Sequence, residues 1–129
     1  PILVFGDGQQ SRCFSAVQDV VRGMLLLMDT KEAEGEVFNV GSDEEISVVE
    51  LAHRIRRMCQ SESAIEFVPY EQVYGQSFED MRRRVPDLRK IRRVTGYRPQ
   101  VLLDRLLELT IRDHCEQMNI PCPVGAATA

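Results

Sequence analysis

Apolar and polar residues are arranged along this chain in a pattern that predicts short strands separated by helices. Runs rich in Val, Ile and Phe occupy 1–5, 36–40 and 65–68, and each run stops at a glycine or a proline. Such runs bounded by turn residues are typical of buried strands. Apolar residues recur at helical spacing over 16–28 and 101–118, which predicts two amphipathic helices. We expect the first of these helices to pack its apolar face onto the first strand.

Two further helices are predicted from the signals at their ends. Ser47 and Glu50 have the spacing of a capping box, in which the serine hydroxyl accepts the N–H of residue 50 and the glutamate reaches back. The helix that this box opens is predicted to run to about Met58. Asp87 is placed to cap a short helix, and Gly96 is placed just after its last residue.

Strands that alternate with helices pair in parallel through right-handed crossovers. The sequence therefore predicts an α/β fold, with a small three-stranded, mainly parallel sheet and about four helices. Both faces of a parallel sheet are normally covered, so we expect one lobe over 1–118 that packs against a neighbour. Residues 119–129 are rich in proline and small residues and are expected to form a disordered tail.

The charge and the apolar runs of the chain argue against several classes of protein. The net charge of −4 argues against a general nucleic-acid binder, which needs a broad positive face. The longest apolar run, 24–28, is far too short to span a membrane. No basic segment precedes the apolar residues at the N-terminus, as it would in a signal peptide. We therefore expect a cytoplasmic protein without a membrane partner.

Residue types that often carry chemistry are scattered. The four cysteines and two histidines lack the spacing of metal ligands, so we expect reduced thiols and no metal site. His114 and Cys115 are neighbours on a predicted helix, where adjacent side chains do not face each other, so they are not expected to act as a nucleophilic pair. The acidic pairs at 44–45 and 79–80 lie in predicted loops, where solvated carboxylates are usual.

Three consecutive arginines, Arg82, Arg83 and Arg84, are the densest charge in the chain. They lie between an aromatic, Gly-containing loop at 74–78 and the helix predicted to start at Asp87. Guanidinium groups match phosphate and carboxylate in geometry, and a helix start adds N–H donors. The run is therefore a candidate anion site. The alternative is a basic loop that only contacts solvent.

Six short motifs occur together in a fixed order along the chain. They are VFGDGxQSRCF (4–14), DVV (19–21), FNVGS (38–42), SxxELA (47–52), RVPD (84–87) and GYRP (96–99). The string resembles the C-terminal, substrate-binding lobe of the NAD-dependent nucleotide-sugar epimerase/dehydratase family, the extended short-chain dehydrogenases. A further motif, YGxxFxD at 74–80 followed by RxP at 84–86, is most similar to UDP-glucuronate decarboxylases.

The resemblance implies how a nucleotide diphosphate sugar would be bound. The first strand would offer backbone hydrogen bonds to the base, Arg12 would contact the diphosphate or ribose, and Arg84 would bind the diphosphate or the sugar. Phe78 would pack near the base or the sugar. The residues alone leave two alternatives open. The two aromatic residues, Phe5 and Phe78, can be ordinary core residues, and the two arginines can form ion pairs on the surface. The implied substrate-binding residues are Leu3, Val4, Phe5, Arg12, Phe78 and Arg84.

The residues that perform hydride chemistry in this family have no match in the chain. NAD binding needs a Gly-rich loop that opens the first helix of a βαβ unit, and the Gly6–Gly8 segment lacks the third glycine and the helix pattern. The family's Tyr-x-x-x-Lys pair, in which Lys lowers the pKa of Tyr, is also missing, because Tyr70, Tyr74 and Tyr97 are followed four residues later by Tyr, Phe and Val. We expect no catalytic residue and no cofactor in this chain, although the full-length family uses NAD.

The resemblance therefore predicts the substrate-binding part of an epimerase, dehydratase or decarboxylase of UDP- or TDP-sugars, truncated and inactive alone. Which sugar, base and reaction apply stays open. The alternative is a non-catalytic interaction module that forms a homodimer or docks on a separate Rossmann-domain chain. An uncovered sheet face and the leucines at 102, 103, 106 and 107 would form its interface, because large apolar patches usually mark interfaces.

Overall fold

The computed structural model describes residues 1–74 and 80–124, and four short strands and five α-helices lie within these ranges. A single 3₁₀ turn spans Lys31–Ala33. The α/β class expected from the sequence is confirmed. The strands are β1 (Ile2–Phe5), β2 (Ser11–Cys13), β3 (Glu45–Ser47) and β4 (Ile65–Val68), and the helices are α1 (Val17–Met28), α2 (Val48–Met58), α3 (Tyr70–Tyr74), α4 (Arg89–Thr95) and α5 (Leu103–Met118).

The strands pair as two small sheets. β1 and β4 are parallel, with Ile2 opposite Ile65 and Phe5 opposite Val68. β2 pairs with β3 in a second two-stranded sheet. The parallel arrangement predicted for the first and last apolar runs is confirmed, and the two helices between them in sequence make the connection a crossover rather than a hairpin.

The strand predicted over 36–40 was wrong, and within residues 1–74 and 80–124 two two-stranded sheets are found instead of the predicted three-stranded sheet. These residues have no regular secondary structure. Val37 is 85% exposed, and its carbonyl accepts a hydrogen bond from Lys90 Nζ (2.9 Å). An apolar run becomes a strand only when a neighbouring backbone satisfies its polar groups. Phe38 and Val40 instead pack their side chains against a buried cluster of leucine, isoleucine and tyrosine.

The chain divides into two compact units, each with its own core. In the first unit α2 packs against β1, and Val4 and Ala52 are buried at 1% and 6% exposure. In the second unit Tyr97 is fully buried with Leu88 and Ile91. The first unit comprises Pro1–Arg12, Ile46–Arg83 and Leu107–Ala129, and the second comprises Cys13–Glu45 and Arg84–Leu106.

Tyr97 is buried without leaving its hydroxyl unpaired. The hydroxyl donates a hydrogen bond to the Gly41 carbonyl (2.8 Å), which satisfies the polar end of the ring. Burial raises the pKa of Tyr97, so the group remains a donor at neutral pH. The side chains that pack around this cluster come from α1 and from the segment 36–40, and they are Leu26, Leu27, Phe38 and Val40.

The predicted helix ends are confirmed at two of three places. Ser47 Oγ accepts the N–H of Glu50 (3.2 Å) at the start of α2, and Gly96 ends α4 with a left-handed φ of 72°. α4 begins two residues later than predicted, at Arg89. Asp87 nevertheless accepts the N–H of Arg89 (2.9 Å), and side-chain hydrogen bonds from the same arginine lower the pKa of Asp87 to about 2.

The apolar stripe of α1 is exposed, so the predicted packing of this face was wrong. The buried residues of α1 are Asp19 and Gly23. A Cβ at Gly23 would lie 2.6 Å from Val40 Cγ1 and 3.0 Å from a ring carbon of Tyr97. The helix thus makes its close contact through its smallest residue, and Leu26 and Leu27 pack beside it against the same buried cluster. The exposed stripe consists of Val17, Val21, Met24, Leu25 and Met28.

The apolar stripe predicted for the last helix is confirmed. Leu103, Leu107 and Cys115 are buried on α5, and Leu106 is half-buried. Of the leucines expected to form an interface, Leu102 is the exposed one. Within residues 1–74 and 80–124, no helix has both the length and the apolar character needed to cross a bilayer.

We expect Gly8→Ala to destabilise the protein more than Gly35→Ala. Both glycines have left-handed φ angles (70° and 72°), so both substitutions carry a backbone cost of roughly 1–2 kcal/mol. At Gly8 the added Cβ would also lie 2.8 Å from Val49 Cβ and 2.9 Å from Val4 Cγ1, which adds about 1–3 kcal/mol of overpacking. Urea unfolding of both variants measures the difference. Equal losses would mean that Gly8 is not closely packed.

Candidate functional site

The outer edge of β1 presents backbone hydrogen-bonding groups. The N–H groups of Ile2 and Gly6 donate to carbonyls on the β4 side (2.8 Å each). Since alternate residues of a strand face opposite edges, Val4 also faces β4, whereas the peptide groups of Leu3 and Phe5 face the other edge. The side chain of Leu3 is 52% exposed. A ligand at this edge would therefore meet the peptide group of Leu3 beside its accessible apolar side chain.

A tight turn after β1 leads the chain back beside the strand. Gly6 has a φ of 72°, and a Cβ there would overlap the Tyr70 ring, so the turn requires glycine. Gln10 is buried, and its Nε2 donates to the Phe5 carbonyl (2.9 Å). The carboxylate of Asp7 accepts the N–H of the residue two positions later (2.9 Å). These contacts fix the end of β1 relative to the start of β2.

Arg12, on β2, is held in one orientation by three acceptors. Its Nη2 lies 2.5 Å from Asp80 Oδ1. Its Nη1 donates to the carbonyls of Met81 and Ser11, each at 2.7 Å. The side chain is 23% exposed. A guanidinium has five N–H donors, so these bonds leave donors for a ligand while the side chain is already ordered.

Asp80 connects Arg12 to Tyr70. The Tyr70 hydroxyl donates to Asp80 Oδ2 (3.0 Å), while Oδ1 of the same carboxylate binds Arg12. Burial, and then the hydrogen bond to this carboxylate, raises the pKa of Tyr70, so the phenol stays protonated at neutral pH. The sequence predicted a solvated acidic pair at 79–80. For Asp80 that prediction was wrong, because its side chain is 26% exposed and binds two partners.

The arginine run is attached through its backbone to the strand that carries Arg12. The N–H of Ser11 donates to the Arg82 carbonyl (2.8 Å), and Ser11 forms a parallel bridge with Arg83. The Arg82 side chain is 87% exposed and lies 3.9 Å from Asp7, and so exposed a pair contributes little stability. The bridge thus places two cationic residues beside β2.

The contribution of a helix start to this anion site was wrongly predicted. α4 begins at Arg89, and the first N–H is already bound by the carboxylate of Asp87. An anion at this position would meet the negative charge of Asp87. Any anion binding by the run therefore depends on arginine side chains.

The residues implied by the family resemblance are distributed over the described chain as follows. Leu3 and Phe5 face the outer edge of β1, Val4 is core, and Arg12 lies on β2 with Asp80. Arg84 is exposed and belongs to the second unit. Phe78 lies outside the described residues. The roles of these six residues in binding remain proposals.

Three residues that contribute to this arrangement were not singled out from the sequence. Gln10 fixes the end of β1, and Tyr70 and Asp80 hold Arg12. Asp80 does end the YGxxFxD motif, which is the signal that could have found it. Gln10 likewise lies in the VFGDGxQSRCF motif, whereas Tyr70 carries no comparable signal in a single sequence.

The Gly6–Gly8 turn does not have the form of a dinucleotide-binding loop. The Gly6–Gly8 turn leads into β2 rather than a helix, and the position of a Cβ at Gly8 is crowded by Val49, Val4 and Phe67. No open Gly-rich cradle for a pyrophosphate is formed there. Over residues 1–74 and 80–124, no group of three or more His, Cys, Asp or Glu side chains is placed to hold a metal ion.

Comparison with known proteins settles the family. The family model described as GDP-mannose 4,6 dehydratase matches residues 1–110. The chain belongs to the NAD-dependent nucleotide-sugar epimerase/dehydratase family. The resemblance drawn from the motifs is thereby confirmed.

Two similar family members are named as decarboxylases. The chain is 40% identical to a UDP-N-acetyl-alpha-D-glucosaminuronate decarboxylase of Bacillus cytotoxicus, over 86% of this chain and 34% of the relative. It is 33% identical to UDP-glucuronic acid decarboxylase 4 of Arabidopsis thaliana, over 88% of this chain and 24% of the relative. The chain thus spans about a quarter to about a third of the length of these family members.

Solved structures of the family share the fold. The epimerase Mth375 of Methanothermobacter thermautotrophicus matches with a TM-score of 0.82 at 30% identity, over 92% of this chain and 34% of that one. The UDP-glucuronic acid 4-epimerase of Bacillus cereus, solved with UDP-glucuronic acid and NAD, matches with a TM-score of 0.77 at 26% identity, over 92% of this chain and 36% of that one.

Proposed function

We propose that this chain is the substrate-binding part of an NAD-dependent nucleotide-sugar epimerase, dehydratase or decarboxylase, and that its ligand is a UDP- or TDP-sugar. Family membership supports the class of ligand, since the similar Bacillus cereus epimerase was solved with UDP-glucuronic acid. The observation that carries the proposal is the ordered guanidinium of Arg12 beside the arginine run.

The chemistry of Arg12 suits a diphosphate. Two phosphates carry negative charge on oxygens that accept paired N–H bonds from a planar guanidinium. Asp80 neutralises part of the charge of Arg12 and holds its plane fixed, while Arg82 and Arg83 supply further positive charge beside the same strand. Arg84 follows directly in sequence and is the second proposed diphosphate or sugar contact.

The edge of β1 suits a nucleobase. A base presents N–H and carbonyl groups along one edge and flat apolar faces, so it needs backbone partners and apolar contacts. The outward peptide group of Leu3 supplies a backbone partner, and the side chains of Leu3 and Phe5 supply apolar contacts. Val4 supports the strand from the core, and Phe78 is proposed as a further aromatic contact.

In this proposal the chain binds substrate and does not catalyse its conversion alone. The sequence contains no Tyr-x-x-x-Lys pair, and the turn after β1 does not fit NAD. A dinucleotide-binding partner or domain would therefore supply the cofactor and the base. Binding without turnover is the expected behaviour of the 129-residue chain.

Isothermal titration of the chain with UDP-glucuronate, UDP-glucose and uridine tests this function. We expect saturable heat with both UDP-sugars at up to millimolar concentration, and much weaker binding of uridine, which lacks the diphosphate. Circular dichroism on the same sample verifies that the chain is folded. A folded chain that gives no heat with millimolar UDP-sugar would contradict the proposal.

The second candidate function, an interaction module, is favoured by the exposed stripe of α1. This stripe runs along one side of a 12-residue helix, and contiguous exposed apolar surface of this kind usually marks an interface. We therefore propose this stripe, instead of the last helix, as the contact with a dinucleotide-binding chain or a second copy.

Light scattering measures the molecular mass of the wild type and of Val21→Glu. A dimer that is lost in the variant supports this function, and a wild-type monomer at high concentration contradicts a homodimer.

A further inference from the structure

Three of the four cysteines lie around one apolar cavity in the first unit. The cavity has a volume of about 490 Å³ and lies between α2, α5 and the segment that follows α5. Cys59 and Cys115 line two of its sides, and Pro121 and Pro123, which flank Cys122, line the third. This cluster has no part in the proposed substrate site, so it calls for a separate explanation.

Cys115 and Cys122 are brought together by the backbone that connects them. Asn119 ends α5 with a left-handed φ of 53°, and the N–H of Ile120 donates to the Cys115 carbonyl (3.0 Å). This is the turn that commonly closes a helix C-terminus, and it returns the chain over the last turn of α5. The turn thus brings the segment of Cys122 back to the cavity that Cys115 lines, since Pro121 and Pro123 line it as well.

The two thiols differ in their access to solvent. Cys115 is 5% exposed, whereas Cys122 is only half-buried, and its Sγ lies 3.3 Å from the Val124 carbonyl. Burial and the neighbouring Cys122 raise the pKa of Cys115. A reagent in solution would therefore meet Cys122 first, and Cys115 would be reached only by a sulfur that is already in the cluster.

We propose that Cys115 and Cys122 form a reversible dithiol–disulfide site that reacts with small-molecule disulfides such as oxidised glutathione. The Cys122 thiolate attacks one sulfur of the reagent, the sulfur–sulfur bond of the reagent breaks, and one glutathione thiolate leaves. The Cys115 thiolate then attacks the Cys122 sulfur and releases the second glutathione. The two cysteine protons pass to the two glutathione thiolates, and two electrons pass from the cysteines to the reagent.

The disulfide would attach the segment after α5 to the helix and fix the third side of the cavity. A cross-link over so short a loop reduces the freedom of the unfolded chain. The oxidised protein is therefore expected to melt on the order of 5 °C higher than the reduced protein. Because Cys115 reacts as thiolate and its pKa is raised, ring closure is expected to become faster as the pH rises above neutral.

Peptide mass spectrometry of the 129-residue chain after incubation with oxidised glutathione at pH 8 tests the site. Cys115 and Cys122 lie on one tryptic peptide, since no Lys or Arg follows Arg112, whereas Cys59 lies on the peptide 58–82. We expect the peptide with Cys115 and Cys122 to lose about 2 Da, the mass of two hydrogens, and to regain it with dithiothreitol.

Single cysteine-to-serine variants show which two cysteines react, and they define the results that would contradict the proposal. Cys13→Ser and Cys59→Ser are expected to form the same disulfide, and Cys122→Ser is expected to abolish both the mass loss and the increase in melting temperature. A peptide 58–82 cross-linked to the C-terminal peptide would overturn the pairing. A stable glutathione adduct on Cys122 without ring closure, or no reaction in folded protein, would overturn the proposal.

Discussion

Replacing Asp19 with alanine is expected to destabilise the protein by about 3 kcal/mol. The carboxylate is 2% exposed and accepts the backbone N–H groups of Gln100 (2.9 Å) and Val101 (2.8 Å). It also pairs with Arg22 at 2.8 Å. The substitution leaves two N–H donors without this acceptor and a guanidinium without its counter-ion. Chemical denaturation at pH 7 measures the loss.

The control and the pH dependence make this prediction specific. Gln18→Ala, at the exposed neighbouring position of α1, is expected to change stability by less than about 0.5 kcal/mol. Burial alone would raise the pKa of Asp19, but hydrogen bonds from Arg22, Val101 and Gln100 outweigh it, and the pKa lies below its usual value of 3.8. The stabilisation is therefore present above pH 3.8 and is lost as the pH falls through the lower folded pKa. A difference between the wild type and Asp19→Ala that persists unchanged at lower pH would contradict this explanation.

Replacing Arg12 with alanine is expected to weaken binding of UDP-glucuronate roughly 10–100-fold, the value of one or two charge-assisted hydrogen bonds. Uridine lacks the diphosphate, so its weak binding is expected to stay within about threefold of the wild type. Competition between each ligand and a fluorescent UDP derivative gives both constants. The comparison separates a lost phosphate contact from unfolding, because an unfolded variant would lose uridine as well.

Arg93→Ala is the matched control for charge. Arg93 is exposed on α4, and its removal changes the net charge by the same amount. We expect this variant to bind UDP-glucuronate as the wild type does. Equal weakening by both substitutions would mean that Arg12 acts through the general field of the protein, and the assignment of Arg12 to the diphosphate would be wrong.

Local sequence patterns correctly predicted those strands and helices that pair with or pack against other parts of the described chain. β1 and β4 satisfy each other's backbone groups, and α2 and α5 bury much of their apolar stripes within the structure. The segment 36–40 has an equally good strand pattern. It forms no strand because it meets side chains rather than a second backbone. Periodicity reports which side chains favour burial and does not report whether a partner is present.

The apolar stripe of α1 shows the same limit for a helix. Apolar residues at helical spacing over 16–28 predicted a buried face, yet the structure buries the face of Asp19 and Gly23. A buried carboxylate is stable there only because Gln100 and Val101 donate to it from residues about 80 positions away. Nothing local in the sequence shows those donors.

The candidate site was predictable in part. Arg12 was identified through its motif, and the structure shows it ordered and charge-paired. Its partner Asp80 lies 68 positions away, and a single sequence does not indicate which of many acidic residues will pair with a given arginine. The local pattern also predicted that the start of α4 would help to bind an anion. Asp87 prevents this, because its carboxylate occupies the first N–H of the helix.

The most direct test is an NMR titration of the ¹⁵N-labelled chain with UDP. The central claim is that the chain itself binds a nucleotide diphosphate at β1 and β2. It predicts saturable shifts that are largest at the backbone amides of Leu3 and Arg12 and in the arginine run 82–84, with the amides of α5 unchanged. Shifts that are absent, or that are centred on α5 and the cysteine-lined cavity, would contradict it.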